Sequence, residues 1–142
     1  MSRTYSFREE WTVAAAPGRV RELLVDLERY PRWWREVRAV AKLSDDDALV
    51  VCRSALPYDL ELHLHAVHRD EDLLETAIEG DLVGQARYRI AAHDGGTWLR
   101  FEQDVDVSGR LLGLASRLAR PVLVWNHDRM MRSCLRGLRS AV

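Results

Sequence analysis

The sequence predicts an α+β domain: a curved, seven-stranded antiparallel sheet wrapped around a long C-terminal helix, with two short helices between the first and second strands. Three observations carry this. Apolar and polar residues alternate along the opening segment, six further strand-length runs separated by turn signals fill residues 36 to 108, and the last 33 residues switch to helical spacing. A chain of 142 residues suits one domain spanning 1–142, long enough to bury roughly two thirds of the surface its unfolded form exposes.

The opening strand rests on Tyr5, Phe7, Glu9, Trp11 and Val13, which share one face at period two. Ala15-Ala16-Pro17 stops it. Pro17 suits the first position of a helix, and Val20, Leu23, Leu24 and Leu27 continue at helical spacing to about residue 28. Tyr30-Pro31 breaks that helix, and Arg32-Trp33-Trp34-Arg35 reads as a second helical turn.

Strands follow at Val37 to Leu43, at Leu49 to Ala55 and from Tyr58 onward. Turns are expected at Ser44 to Asp47, Pro57, Asp70-Glu71-Asp72, Gly80-Asp81 and Asp94-Gly95-Gly96. Register follows from the faces, because a slip of one residue exchanges inside and outside. A two-residue turn at Asp94-Gly95 pairs Ile90 with Leu99, Tyr88 with Phe101 and Ala86 with Gln103, and sets Arg87 opposite Glu102 on the solvent face. On the long middle strand Tyr58, Leu60, Leu62, Leu64 and Ala66 point inward, and a three-residue turn sets Leu64 opposite Ile78. The strand at 49 to 55 leaves two choices, Leu49/Val51/Arg53 or Val50/Cys52/Ser54 inward.

In the C-terminal segment Leu111, Leu114, Ala115, Leu118, Val122, Trp125, Met130, Cys134 and Leu138 form the apolar stripe, with Arg129, Arg132, Arg136 and Arg139 opposite. Pro121 requires the helix to kink there or to begin afresh after Arg120.

Composition narrows the function. Net charge is −1, against bulk attraction to nucleic acid, although residues 110–142 hold seven arginines against Asp128 alone. The arginine stripe is read as the solvated back of the helix, favourably placed toward its negative end, rather than as a membrane contact. No apolar run approaches the ~20 residues of a membrane span and the N-terminus lacks a signal-peptide core, so the cytoplasm is expected. Cys52 and Cys134 read as small buried side chains rather than a disulfide. No phosphate loop, nucleophile elbow or dinucleotide fingerprint is present, and no cofactor is expected. His63 and His65 fall on the outer face with His68 beyond, and are read as surface residues rather than a metal site. The sequence carries no signal of oligomeric state.

A strongly bent sheet is not filled by one helix, and the remaining volume suits a small hydrophobic ligand. Its expected lining is Trp34, Leu60, Leu62, Ile78, Tyr88, Leu99, Phe101, Val122, Trp125 and Met130. Tyr58 and Gln103 add polar groups on apolar faces, where an unpartnered polar atom costs about 1–3 kcal/mol. In the final helix Asn126 is the candidate pocket-facing group, and His127 is expected to cap or to pair with Asp128 or a sheet carboxylate. If the protein is an enzyme, Arg53, Tyr58, Gln103, Asn126 and His127 are the groups able to polarise a carbonyl or move a proton.

Trp11-x-Val13-x-Ala15-Ala16-Pro17-x-x-Val20, followed by Leu23-Leu24-x-Asp26-x-Glu28-x-Tyr30-Pro31-x-Trp33-Trp34, is similar to the N-terminal signature of the START-like, or SRPBCC, superfamily. Asp94-Gly95-Gly96-Thr97 and Trp125-Asn126-His127-Asp128-x-Met130-Met131 resemble its bacterial polyketide cyclase/dehydrase and lipid-transport branch. The resemblance implies a helix-grip fold with an internal cavity for a lipid, polyketide or similar molecule. It also implies an alternative, an aromatase/cyclase closing a poly-β-ketone by aldol chemistry and dehydration in the same cavity.

Overall fold

The computed structural model describes residues 4–115 and 117–142, apart from the side chains of residues 109, 110 and 114. The expected core place of Leu114 therefore lies outside the described residues. Strand β1 (Thr4–Val13) leads to α1 (Pro17–Val25), a 3-10 turn (Leu27–Arg29) and α2 (Tyr30–Trp33). Six strands follow, β2 (Val37–Lys42), β3 (Asp47–Cys52), β4 (Leu60–Arg69), β5 (Leu73–Gly80), β6 (Leu82–His93) and β7 (Gly96–Val107), then α3 (Gly109–Ala115) and α4 (Arg120–Ala141). The sheet is antiparallel in the order β1-β7-β6-β5-β4-β3-β2. This is the helix-grip arrangement expected from the sequence.

The faces explain the order. On β1, Tyr5, Trp11 and Val13 are buried while Thr4, Ser6, Arg8, Glu10 and Thr12 face solvent. Its partner β7 buries Leu99, Phe101, Gln103, Val105 and Val107 on the same face. The β6–β7 hairpin has the expected register, Ile90 with Leu99, Tyr88 with Phe101 and Ala86 with Gln103. Asp94 and Gly95 both have positive φ, +46° and +79°, as a two-residue turn matching strand twist requires. Arg87 pairs with Glu102 at 3.5 Å, but this outer face is more covered than expected, because Arg8, Arg89 and Arg100 also reach Glu102 within 3.6 Å.

Leu64 lies opposite Ile78, reached by a different route from the one expected. The turn spans residues 70–73, closed by the Asp70 N–H donating to Leu73 O at 2.9 Å, and a bulge between Ala66 and His68 restores the register one residue further in. The undecided strand β3 turns Val50 and Cys52 inward and leaves Leu49 46% exposed.

One helix boundary differs from expectation, and an open choice at another is decided. Tyr30-Pro31 does not break a helix but opens α2, with Pro31 in its first turn, where a missing N–H leaves no bond unmade. At the C-terminus there is not one helix but two. Of the two courses open at Pro121, a kink or a fresh start, the chain takes the second: Pro121 stands in the first turn of α4, which begins at Arg120.

α4 buries Met131, Cys134 and Leu138 against Trp11, Val20, Leu24, Tyr30, Trp34 and Leu99. A second apolar group, Tyr5, Ile78, Leu82, Val105, Val107 and Leu111, closes the other end. Among the described residues no helix is long and apolar enough to cross a membrane.

Candidate functional site

Between the concave face of the sheet and α4 lies a cavity of about 120 Å3, with a neighbouring lobe of about 60 Å3. Both lobes touch Leu60, Leu82, His127 and Met130, so these four side chains form the partition. Period-two alternation places Leu60, Leu62 and Leu64 of β4, Ala86 and Tyr88 of β6, and Phe101 and Gln103 of β7 around the larger lobe.

Of the residues expected to line the space, Trp34, Leu60, Leu62, Ile78, Tyr88, Phe101, Gln103 and Met130 line the larger lobe, and Tyr58 and Asn126 the smaller. Trp34 is fixed there because its Nε1 donates to Met130 O at 3.0 Å.

Three expectations are corrected and one open choice, at Arg53, is decided. Leu99 is fully buried in the core but does not reach either lobe. Val122 is half-buried and its neighbour Leu123 takes the lining position. Trp125 is 46% exposed, with Arg129 lying 6.0 Å from its ring centre. Residues two apart on a helix point about 200° apart, so 125 and 127 cannot share a face, and the inward one is His127. Arg53 is exposed and pairs with Asp59 at 3.9 Å, because Val50 and Cys52 take the inward parity of β3.

His127 does not pair with Asp128 or a sheet carboxylate. Its Nε2 meets the Gln103 carboxamide oxygen at 2.7 Å, and its ring stacks on Phe7 with centres 3.5 Å apart. The accepting oxygen places the ring proton on Nε2, and Nδ1 is sealed without a partner. Burial pushes the imidazole down to about 3, so the ring is neutral at physiological pH. Asn126 works at the edge: its Oδ1 accepts the Leu56 N–H at 3.0 Å, its Nδ2 lies 3.5 Å from the Tyr58 hydroxyl, and its backbone carbonyl accepts from Ser54 Oγ at 3.2 Å. Desolvation raises the Tyr58 hydroxyl, partly offset by Asn126. Burial likewise raises Tyr88 and pushes Cys52 up to about 12, leaving both protonated.

His63 Nε2 and His65 Nδ1 both lie 2.9 Å from Asp47 Oδ1 on the outer face, and neither lines the cavity. These contacts hold the Asp47 carboxyl down at about 2. Cys52 and Cys134 are free and buried.

The sequence matches, over residues 4–142, the family described as polyketide cyclase / dehydrase and lipid transport. The chain belongs to that family. No curated protein matches it in sequence. Among solved structures, a START superfamily protein from Mycobacterium smegmatis superposes with a TM-score of 0.76 at 17% identity, covering 99% of this chain and 97% of that one. A Thermus thermophilus protein gives 0.81 at 19% identity, covering 96% of each chain. The Zhui aromatase/cyclase from Streptomyces sp. R1128 gives 0.79 at 15% identity, covering 96% and 92%. At such identities the likeness is one of fold.

Within this polyketide cyclase/dehydrase and lipid-transport framework, sequence reasoning missed Met131, Thr76 and Phe7 around the lobes. Met131 was findable, since it lies four residues after His127 on the same helix face. The lining of both lobes contains no Asp, Glu, Lys or Arg among the described residues.

Proposed function

We propose that the protein binds a small hydrophobic molecule, of the lipid or polyketide kind, in the cavity between the sheet and α4. The observation that carries this reading is a space between sheet and helix walled by leucines, methionines and aromatic rings, with Gln103 supplying a polar contact. Such composition, apolar walls with few placed polar groups, is that of small-molecule sites generally. Binding is favoured over aldol cyclisation. Closure of a poly-ketone needs a base matched to neutral pH, whereas the lining offers a histidine held far below that range, raised hydroxyls and no carboxylate.

Filling the space tests the reading. Ala86 lines the larger lobe between Tyr88 and Gln103 on β6 and β7. Ala86→Phe is expected to abolish binding of apolar probes, followed by native mass spectrometry and thermal shift, while the far-ultraviolet dichroism stays native. Undiminished binding by the filled variant would move the site elsewhere.

A further inference from the structure

We propose that the cavity selects an uncharged, single-ring-sized ligand bearing a carbonyl or hydroxyl oxygen, which the Gln103 carboxamide nitrogen reads, and that it rejects carboxylates. This rests on the binding reading above and narrows its ligand class.

The first ground is the charge-free lining of both lobes among the described residues. An ionised ligand head would lose water there with no counter-charge to replace it, which disfavours it. A neutral ligand avoids this. The second ground is the unspent hydrogen-bonding capacity of Gln103. The residue is 7% exposed, and its carbonyl oxygen is taken by His127 Nε2 at 2.7 Å. The amide nitrogen has two donors. It is not among the sealed, unpartnered atoms, and the residue lines the larger lobe, so these donors are available to a ligand oxygen. With the carboxamide oxygen on His127 Nε2, the amide nitrogen is the group left over. The third ground is size. A dry apolar cavity of ~150 Å3 holds a benzene ring, and here the lobes measure about 120 and 60 Å3.

Three probes of one size separate the possibilities: ethylbenzene, acetophenone and benzoate, titrated against the full chain at neutral pH by ligand-observed NMR. Acetophenone is expected to bind at least tenfold more tightly than benzoate, and several-fold more tightly than ethylbenzene. Gln103→Leu is expected to remove the advantage of acetophenone over ethylbenzene, read as the ratio of the two affinities. Benzoate binding as tightly as acetophenone would overturn the charge selection. Ethylbenzene equal to acetophenone in the unmodified protein would overturn the role of Gln103, a result that needs no variant to fold. In both cases ethylbenzene still binds and the hydrophobic-binding reading stands. If none of the three binds, the single-ring selection falls, and the binding reading is decided separately by the Ala86→Phe comparison.

Discussion

Asn126 Oδ1 accepts the Leu56 backbone N–H at 3.0 Å, so one side chain of α4 ties down the connection between β3 and β4 beside the smaller lobe. The Ser54 hydroxyl donating to the Asn126 carbonyl is the second tie, and it uses backbone that a substitution leaves in place.

Asn126→Ala should therefore release residues 54–58 partially rather than unfold the domain. Loss of one neutral hydrogen bond, with the freed Leu56 N–H half-buried, is expected to cost about 1 kcal/mol. Amide hydrogen exchange provides the local check. Leu56 should lose protection while the β6–β7 amides keep theirs, and unchanged protection at Leu56 would show that the loop is held by something other than Asn126.

His127 gives the stability a pH dependence of defined sign. Its folded-state value is depressed to about 3 from an ordinary 6.5 by burial. Between these values the unfolded chain binds a proton that the folded chain does not, so stability rises with pH through this window and falls as pH is lowered from 6.5 toward 3. The slope from this one group approaches about 1.4 kcal/mol per pH unit. Asp47, depressed to about 2, adds a loss of the same direction only below its ordinary 3.8. Urea midpoints measured from pH 7 to 5 cover the part of this window above the ordinary carboxylate values. Burial raises the Glu9 carboxyl, whose effect has the opposite sign and is shared by both proteins. His127→Phe should flatten that part of the profile, and a slope unchanged in the variant would rule out His127 as its source.

Glu102 sits within 3.6 Å of Arg8, Arg87, Arg89 and Arg100 on the convex face, and its side chain is 13% exposed. It is the anion around which four guanidinium groups from three strands are packed. Glu102→Gln keeps the shape and removes the charge, leaving the arginines to repel one another. A loss of about 1–2 kcal/mol is expected, between the values for exposed and buried pairs. Because the arginines are partly solvated, added salt should screen their repulsion and narrow the gap between the two proteins. A gap that does not change with salt would mean that packing, not charge, accounts for the loss.

The sheet was legible because period-two alternation and turn residues act locally, and the β6–β7 register followed from one two-residue turn. The Leu64–Ile78 pairing was correct although its turn was not, since a bulge compensates for a longer loop and leaves little trace in hydrophobic pattern. The helical part of the site was less legible. Trp125, Asn126 and His127 are consecutive, and composition favoured the tryptophan inside, whereas the angular position set by Met131, Cys134 and Leu138 puts the histidine there and leaves Trp125 46% exposed. Burying a neutral imidazole with a carboxamide partner on β7 is a tertiary arrangement that local sequence does not specify.

Gly137 is a second feature of this kind, and it yields the most direct packing test. Helical spacing alone gives no reason for glycine at this position, where alanine would favour the helix by about 1 kcal/mol. In the fold, a Cβ built on Gly137 would overlap the Trp33 carbonyl oxygen, because α2 crosses α4 backbone against backbone. The obstruction is main chain, which cannot rotate away. Gly137→Ala should therefore reverse the usual helix preference and destabilise the protein by about 2 kcal/mol, in the range for overpacked sites. The displacement must pass through α2 to Trp34, which follows Trp33 and lines the cavity. Denaturation midpoints and tryptophan fluorescence should thus change together, whereas a stabilised Gly137→Ala variant would show that the two helices do not meet this closely.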